Sequence, residues 1–249
     1  MAPTLPRLYT DHAAWFHLLT APEDYAEESA FYTGLLRSAA TGPCQTLLEL
    51  GSGGGNMASH YVKEFDAVLT DVSPAMLALS RTIHPDVEHV VGDMRSLRLG
   101  RTFDAVLVHD AVVYMLSEDD LRQAMTTAYV HLRPGGVAVF APDHTQENYR
   151  GGTDHGGHDA PDGRGLRYLE WCHPAEPGAT TCVVDYALVF HEPGRPPRVD
   201  VDRHVSGLFS RDTWLRLLRE VGFRAAPRLL EHSEVALGDV EVFVAVRPE

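Results

Sequence analysis

Cysteine, cationic side chains and long apolar runs are what this chain has little of. Its three cysteines, Cys44, Cys172 and Cys182, are odd in number and share no C-x-x-C spacing. No disulfide framework or cysteine zinc site is therefore expected, and a reducing compartment suits them. Lys and Arg number 21 against 35 Asp and Glu, a formal charge of −14. A field of that sign repels phosphate backbones, and no Lys/Arg run offsets it locally, so tRNA, rRNA and DNA are disfavoured as partners. No apolar stretch is long enough to span a bilayer. Residues 1–20 lack the basic start and continuous apolar core of a signal peptide. A cytoplasmic protein without membrane contact is expected.

What is there belongs to a soluble α/β protein: 249 residues, 44% hydrophobic, enough for one domain with an insert. The pattern centres on Thr46–Gly55, TLLELGSGGG. Thr46, Leu47, Leu48 and Leu50 read as a short buried strand stopped by glycine. Glu49, Gly51, Gly53 and Gly55 then spell E-x-G-x-G-x-G, where missing side chains allow a tight turn and let a ligand lie against backbone. Asn56–Lys63 reads as a helix whose free N–H groups face that ligand. A dinucleotide fingerprint wants glycine where Asn56 stands, and a phosphate P-loop wants Gly-Lys-Ser/Thr, which is absent.

Further landmarks follow in order. Ala67–Thr70 is apolar and ends in Asp71-Val72, and a carboxylate there offers two acceptor oxygens to a vicinal diol. Ser73-Pro74 opens a helix to about Thr82. Val87–Val91 leads into Gly92-Asp93-Met94, Phe103–Val108 supplies a fourth strand, and Ser117 with Asp120 resembles a capping box. Leu132-Arg133-Pro134-Gly135-Gly136 reads as a turn before a fifth strand, Val137–Phe140.

Between Thr46 and Phe140 these landmarks resemble the class I S-adenosylmethionine (SAM) methyltransferases. The segments Asp24-Tyr25-Ala26-Glu27-Glu28 and GDMRSLRLGRTFDAV are similar to the deoxysugar-amine N-methyltransferases. The resemblance implies an α/β fold: a seven-stranded, mostly parallel Rossmann-like sheet with helices on both faces, an N-terminal helical cap and a small antiparallel insert. It implies SAM as cofactor, with S-adenosylhomocysteine as product, held by Glu49, Gly51, Ser52, Gly53, Gly55, Asp71, Val72, Asp93, Met94 and His109. Asp71 would take the ribose, Asp93 the adenine amine, and Met94 the ring. It is compatible with a homodimer.

The expected divisions are a helical cap (1–42), a SAM-binding core (43–150), a loop plus insert (151–209), and a last helix with closing strands (210–249). In the cap, Tyr9, Trp15, Phe16, Tyr25, Phe31 and Tyr32 concentrate aromatics over residues 6–41, which read as one or two helices. Gly151–Gly165 is too glycine-rich for regular structure and is expected as a loop. Strands at Leu166–Trp171, Cys182–Phe190 and Val199–Val205 make a three-stranded insert. Ser210 caps a helix ended by Gly222, and Arg224–Glu231 pairs with Val240–Val246.

Methyl transfer is an in-line displacement in which SAM carries the activation. The enzyme positions a nucleophile and excludes water. An amine needs only to lose a proton, whereas a hydroxyl needs a base. Acceptors in this fold sit beyond the carboxyl ends of strands four and five. Those ends read Val108-His109-Asp110 and Ala141-Pro142-Asp143-His144 here, so His144, then His109, are the candidate bases. Tyr9, Tyr25, Asp110, Tyr114, Asp143, His155, His158 and Arg203 are candidate acceptor contacts. Arg203 and His204 face opposite ways on their strand. Asp154, His155, His158 and Asp159 have metal-ligand chemistry, but glycines leave them poorly preorganised and no metal is expected. The expected function is methyl transfer to a small polar acceptor, an amine by resemblance. The alternatives are an O-methyltransferase with a His base and a SAM-binding protein that transfers nothing.

Overall fold

The computed structural model describes residues 5–233 and 240–249. Three 3-10 turns, Arg7–Tyr9, Ala13–Trp15 and Pro22–Tyr25, flank the one-turn helix α1 (Phe16–Leu19), and the longer α2 (Ala26–Ala39) follows. Residues 6–41 are thus more broken than one or two helices. Thr20 and Ala21 are extended, and the Pro22 ring favours an extended residue before it. The core runs β1 (Thr46–Leu50), β2 (Asp66–Asp71), α3 (Pro74–Ile83), β3 (Glu88–Val91), β4 (Phe103–His109), α4 (Glu118–His131) and β5 (Leu132–Ala141). Then come β6 (Gly152–Gly156), β7 (Gly165–Cys172), β8 (Thr181–His191), β9 (Arg198–Gly207), α5 (Arg211–Val221), β10 (Arg224–Leu229) and β11 (Glu241–Val246).

Seven strands form one sheet in the order β10-β11-β5-β4-β1-β2-β3. β1 to β5 run parallel, and β11 lies antiparallel to both β5 and β10. The central strands are buried on both faces, which is why they read as nearly continuous apolar runs. One face packs Phe140, Val106 and Leu48 against Leu121 and Met125 of α4 and Trp214 and Leu217 of α5. The other packs Leu47, Leu69 and Val139 against Tyr32 and Leu36 of α2, with Met57 and Tyr61.

Four sequence expectations are corrected here. The segment after the glycines is no helix from Asn56 to Lys63. It is a 3-10 turn, Met57–His60, in which Tyr61 N–H returns only to Ala58 O, so it offers no helix N-terminus to a ligand. Gly152–Gly156 is a strand, because ladder bonds need backbone only and β7 supplies the partner, Asp154 opposite Glu170 and His155 opposite Leu169. The insert therefore has four antiparallel strands, β6-β7-β8-β9, rather than three. The fifth strand begins at Leu132 and absorbs the expected Pro-Gly-Gly turn as a register shift against β4 between Phe103 and Ala105.

Ser73, Ser117 and Ser210 each cap a helix as expected, accepting from the N–H of Met76, Asp120 and Thr213. Gly222 ends α5 at φ 116°, a left-handed cap. Among the described residues no helix is long and apolar enough to cross a membrane. Ser73 has a second bond, its hydroxyl donating to Tyr9 O at 2.6 Å. Ser73→Ala is therefore expected to lower stability by about 1–2 kcal/mol, the upper range for a lost cap. Urea unfolding at fixed pH reads the change, and an unaltered midpoint would refute it.

Candidate active site

A cavity of about 690 Å³ lies between the carboxyl ends of the parallel strands, the inner face of the four-stranded sheet and the N-terminal cap. That is ample for a small ligand pair. At one end stands the turn after β1. The backbone there is fixed by bonds to β2: Gly51 and Ser52 N–H both donate to Thr70 O at 2.8 Å, and Gly53 N–H donates to Asp71 Oδ2 at 2.9 Å. Gly51 has φ 83°, and a Cβ on it would lie 2.3 Å from Ala111 Cβ, so no side chain fits. Gly55 does not border the cavity. A Cβ there would meet Ser80 Oγ at 2.4 Å, so this glycine, expected at the ligand, serves packing instead.

Glu49, Gly51, Ser52, Gly53, Asp71, Val72, Asp93, Met94 and His109 all border the cavity, as do Gly54, Asn56 and Ser73. Glu49 is almost fully buried and accepts the Tyr61 hydroxyl at 2.5 Å. Burial pushes its carboxyl up to about 7 against the pull of Tyr61 and His109. Asp71 accepts Ser73 N–H at 2.8 Å besides Gly53 N–H, one bond on each oxygen. Each oxygen keeps a second lone pair, enough for two hydroxyls. Ser52 Oγ is buried without a hydrogen-bond partner, a polar group waiting for a ligand. These residues fit an adenosyl amino acid. Asp93 is already clamped by Arg95, whose Nη2 reaches it at 2.6 Å and whose Nη1 reaches Asp120 at 2.9 Å. Arg95 holds the Asp93 carboxyl below its usual range.

At the other end β4 and β5 deliver His109, Asp110, Asp143 and His144. Burial alone would lower His109, but Asp110 at 2.8 Å and Glu28 at 3.3 Å outweigh it and keep the imidazole protonated. Both carboxylates face the one ring nitrogen, Nε2, and a ring kept protonated there is no base, against the expectation of His109 as a catalytic candidate. Asp143 and Asp110 share a hydrogen bond. Burial raises both carboxyls, but the His109 cation keeps Asp110 below the ordinary value, while Asp110's own charge drives Asp143 well above it. Both open onto the cavity and are accessible to the water in it. His144 is pushed down by burial, opposed by Glu170, and its Nδ1 has no partner.

Tyr9, Tyr25 and Tyr114 border the cavity as expected. Tyr9 and Tyr114 join a chain: their hydroxyls lie 2.9 Å apart, Tyr114 is 2.9 Å from His204 Nδ1, and His204 Nε2 donates to Asp202 at 3.2 Å. Burial lowers His204, so the neutral ring accepts from Tyr114. Arg203 is among the residues that border the cavity, but its guanidinium turns to the outer face and forks onto Asp185 at 2.7 Å, leaving His204 as the one whose side chain faces inward. His155 and His158 do not border the cavity. β6 is an edge strand, and His158 Nε2 pairs with Asp24 at 3.0 Å. Asp159 pairs with Arg167, so the loop quartet is dispersed, and among the described residues no group of three or more such ligands gathers. Glu170, Tyr168 and Tyr186 border the cavity and were missed. Their signal was the alternation that puts Tyr168 and Glu170 on the same face of β7.

Fold and site together define a SAM-dependent methyltransferase, and the chain belongs to that family. A profile of the family described as a methyltransferase domain matches residues 47–136. The chain is 32% identical over 241 residues to the dTDP-3-amino-3,4,6-trideoxy-α-D-glucopyranose N,N-dimethyltransferase of Streptomyces venezuelae, covering 95% of this chain and 98% of that protein. It is 28% identical over 202 residues to the dTDP-3-amino-3,6-dideoxy-α-D-glucopyranose N,N-dimethyltransferase of Streptomyces fradiae, covering 80% and 78%. The crystal structure of S. venezuelae DesVI superposes with a TM-score of 0.83 at 26% identity, over 96% of this chain and 99% of that one. The sugar N-methyltransferase KedS8 from Streptoalloteichus shares the fold, with a TM-score of 0.79 at 23% identity over 100% and 96%.

Because the folded Glu49 carboxyl sits near 7 and an exposed one near 4.5, the difference is worth roughly 3 kcal/mol. A raised carboxyl pKa means this contribution is complete below about 4.5 and is lost as pH rises through about 7. Glu49→Gln is thus expected to flatten the pH dependence of the ligand-free protein between those values and to be the more stable form at pH above 7. Urea midpoints across that window decide it; parallel curves for the two proteins would contradict it.

Proposed function

We propose that this protein N-methylates an amine on a small sugar-like acceptor. The observation that carries the reading is the cavity's two ends: a glycine turn with buried acids at one, and Asp110, Asp143 and Glu170 gathered at the other. Asp110, kept ionised by His109, and Glu170 draw in an alkylammonium and hold it by charge-assisted bonds, while Asp143, raised by burial and by Asp110, adds a hydrogen-bonding carboxyl. Relatives named as amino-sugar N,N-dimethyltransferases support the same class of acceptor. SAM, held by the turn, supplies when bound a methyl activated by its sulfonium.

The chain's own residues do the rest. Glu49, Gly51, Ser52, Gly53, Asp71, Val72 and Met94 hold the cofactor, with Asp71 taking the ribose diol. Asp93 gives its remaining capacity to the adenine amine while Arg95 fixes its orientation. His109 keeps Asp110 ionised rather than taking a proton. His144, neutral near pH 7 and with Nδ1 unpartnered, takes the proton that the ammonium must lose before its lone pair is free. Tyr9, Tyr25, Tyr114 and Tyr186 line the walls, and residues of the cap cover part of the cavity. Three unpaired thiols suit a reducing cell interior.

Incubating the protein with SAM and an aminodeoxyhexose glycoside is expected to give mono- and dimethylated amine by mass spectrometry. Methylation confined to hydroxyls would replace this reading with the O-methyl one. His144→Asn is expected to cut turnover about 10²-fold and to leave S-adenosylhomocysteine affinity near wild type; full activity would dismiss it as the proton acceptor. Asp71→Ala is expected to weaken that affinity by about 1–3 kcal/mol by calorimetry, and unchanged binding would remove Asp71 from the ribose.

A further inference from the structure

We infer that the acceptor reaches this enzyme without a diphosphate: the amine is methylated on a sugar whose anomeric substituent is uncharged, not on a nucleoside diphosphate sugar. The inference rests on the amine-methylating reading and narrows its substrate class.

The residues bordering the cavity include seven Asp or Glu and three Arg. Each guanidinium is already occupied. Arg7 lies between Asp200 at 2.7 Å and Asp11 at 3.1 Å. Arg95 bridges Asp93 and Asp120, and Arg203 forks onto Asp185. The His109 cation is taken up by Asp110 and Glu28, while burial lowers His144 and His204 toward the neutral form. The chain has one lysine, Lys63, and it does not border the cavity. Residues 1–4 and 234–239 contain no Lys or Arg. Diphosphates are held by forked guanidiniums, ammonium groups or a nest of free backbone N–H groups. In the glycine turn the N–H groups of Gly51, Ser52, Gly53 and Gly55 are committed to Thr70 O, Thr70 O, Asp71 and Ser52 O, which removes four of the donors a nest would use.

An anion entering this cavity meets carboxylates whose counter-charges are committed, in a protein of net charge −14. An amine on a neutral carrier meets the same carboxylates as partners. The charge pattern thus separates this chain from relatives named for dTDP-linked sugars. It also places a reaction upstream: a glycosyl transfer that moves the amino sugar from its nucleotide to a neutral aglycone precedes methylation.

Two measurements test this. The protein saturated with S-adenosylhomocysteine is titrated with dTDP by calorimetry, and methylation rates are compared for methyl 3-amino-3,6-dideoxy-α-D-glucopyranoside and the dTDP-linked form of that sugar. No dTDP binding up to about 1 mM and a kcat/KM at least about tenfold higher for the glycoside, roughly 1.4 kcal/mol, are expected. A dTDP Kd near or below about 0.1 mM, or a nucleotide sugar used equally well or better, overturns the inference and leaves amine methylation standing. If neither sugar is methylated although S-adenosylhomocysteine binds, the amine reading falls, and the dTDP titration still decides whether the cavity takes a diphosphate.

Discussion

The Asp71 carboxylate is the tie on which the site depends. Its two oxygens accept N–H groups from Gly53 in the turn after β1 and from Ser73 in the turn after β2. A carboxylate this deeply buried is tolerable only when bonded so. Ser73 then caps α3 with its hydroxyl oxygen and donates the hydroxyl hydrogen to Tyr9 O. One acid thus joins two strand ends, a helix start and the N-terminal cap. The same arrangement turns the N–H groups of Gly51, Ser52, Gly53 and Gly55 inward, so most of the loop that looks like an anion cradle is surface without free donors.

The opposite wall is set by a second buried polar chain. Tyr9 comes from the cap, Tyr114 from the turn after β4, and His204 and Asp202 from β9. Asp202 also accepts Leu8 N–H at 2.6 Å. Three segments distant in sequence are therefore held by groups that each need the next, since leaving any one unpaired in the interior is costly. His17 donates to Gly54 O and Asn56 to Thr20 O, closing the cap onto the glycine turn as well. The cap is fixed to both walls, which sets the cavity's shape.

Much of this was legible in the residues. The parallel core was readable because β1, β4 and β5 are buried on both faces and spell out apolar runs, and the capping serines and Gly222 mark helix ends by local chemistry. Asp71 stood out as the acid that ends an apolar run, where the family resemblance implies a ribose contact. What was hidden depends on partners far away in sequence. Gly152–Gly156 became a strand only because β7 runs beside it. His109 looked like a base until Glu28 of α2 and Asp110 were seen to hold its proton. Arg203 and His204 could be told to face opposite ways, but which faced inward depended on where the sheet packs. Gly55 matched a motif position, yet Ser80 and His84, on the helix side, are what exclude a side chain there.

Asp110 shows how the two ends are joined. It is the sole described non-glycine residue with positive φ, at 45°, a conformation that costs a side-chain-bearing residue about 1–3 kcal/mol. The turn is pinned by Asp110 N–H to Ala141 O at 3.0 Å and by Val113 N–H to Asp110 O at 2.9 Å. With the backbone so bent, Ala111 packs into the space left by the missing Cβ of Gly51. The Asp110 carboxylate is meanwhile brought onto both His109 and Asp143. A relaxed backbone would give up one of these contacts. The strain therefore lies at the residue where the cofactor turn and the acidic acceptor end meet, and it couples the packing of the first to the charge of the second.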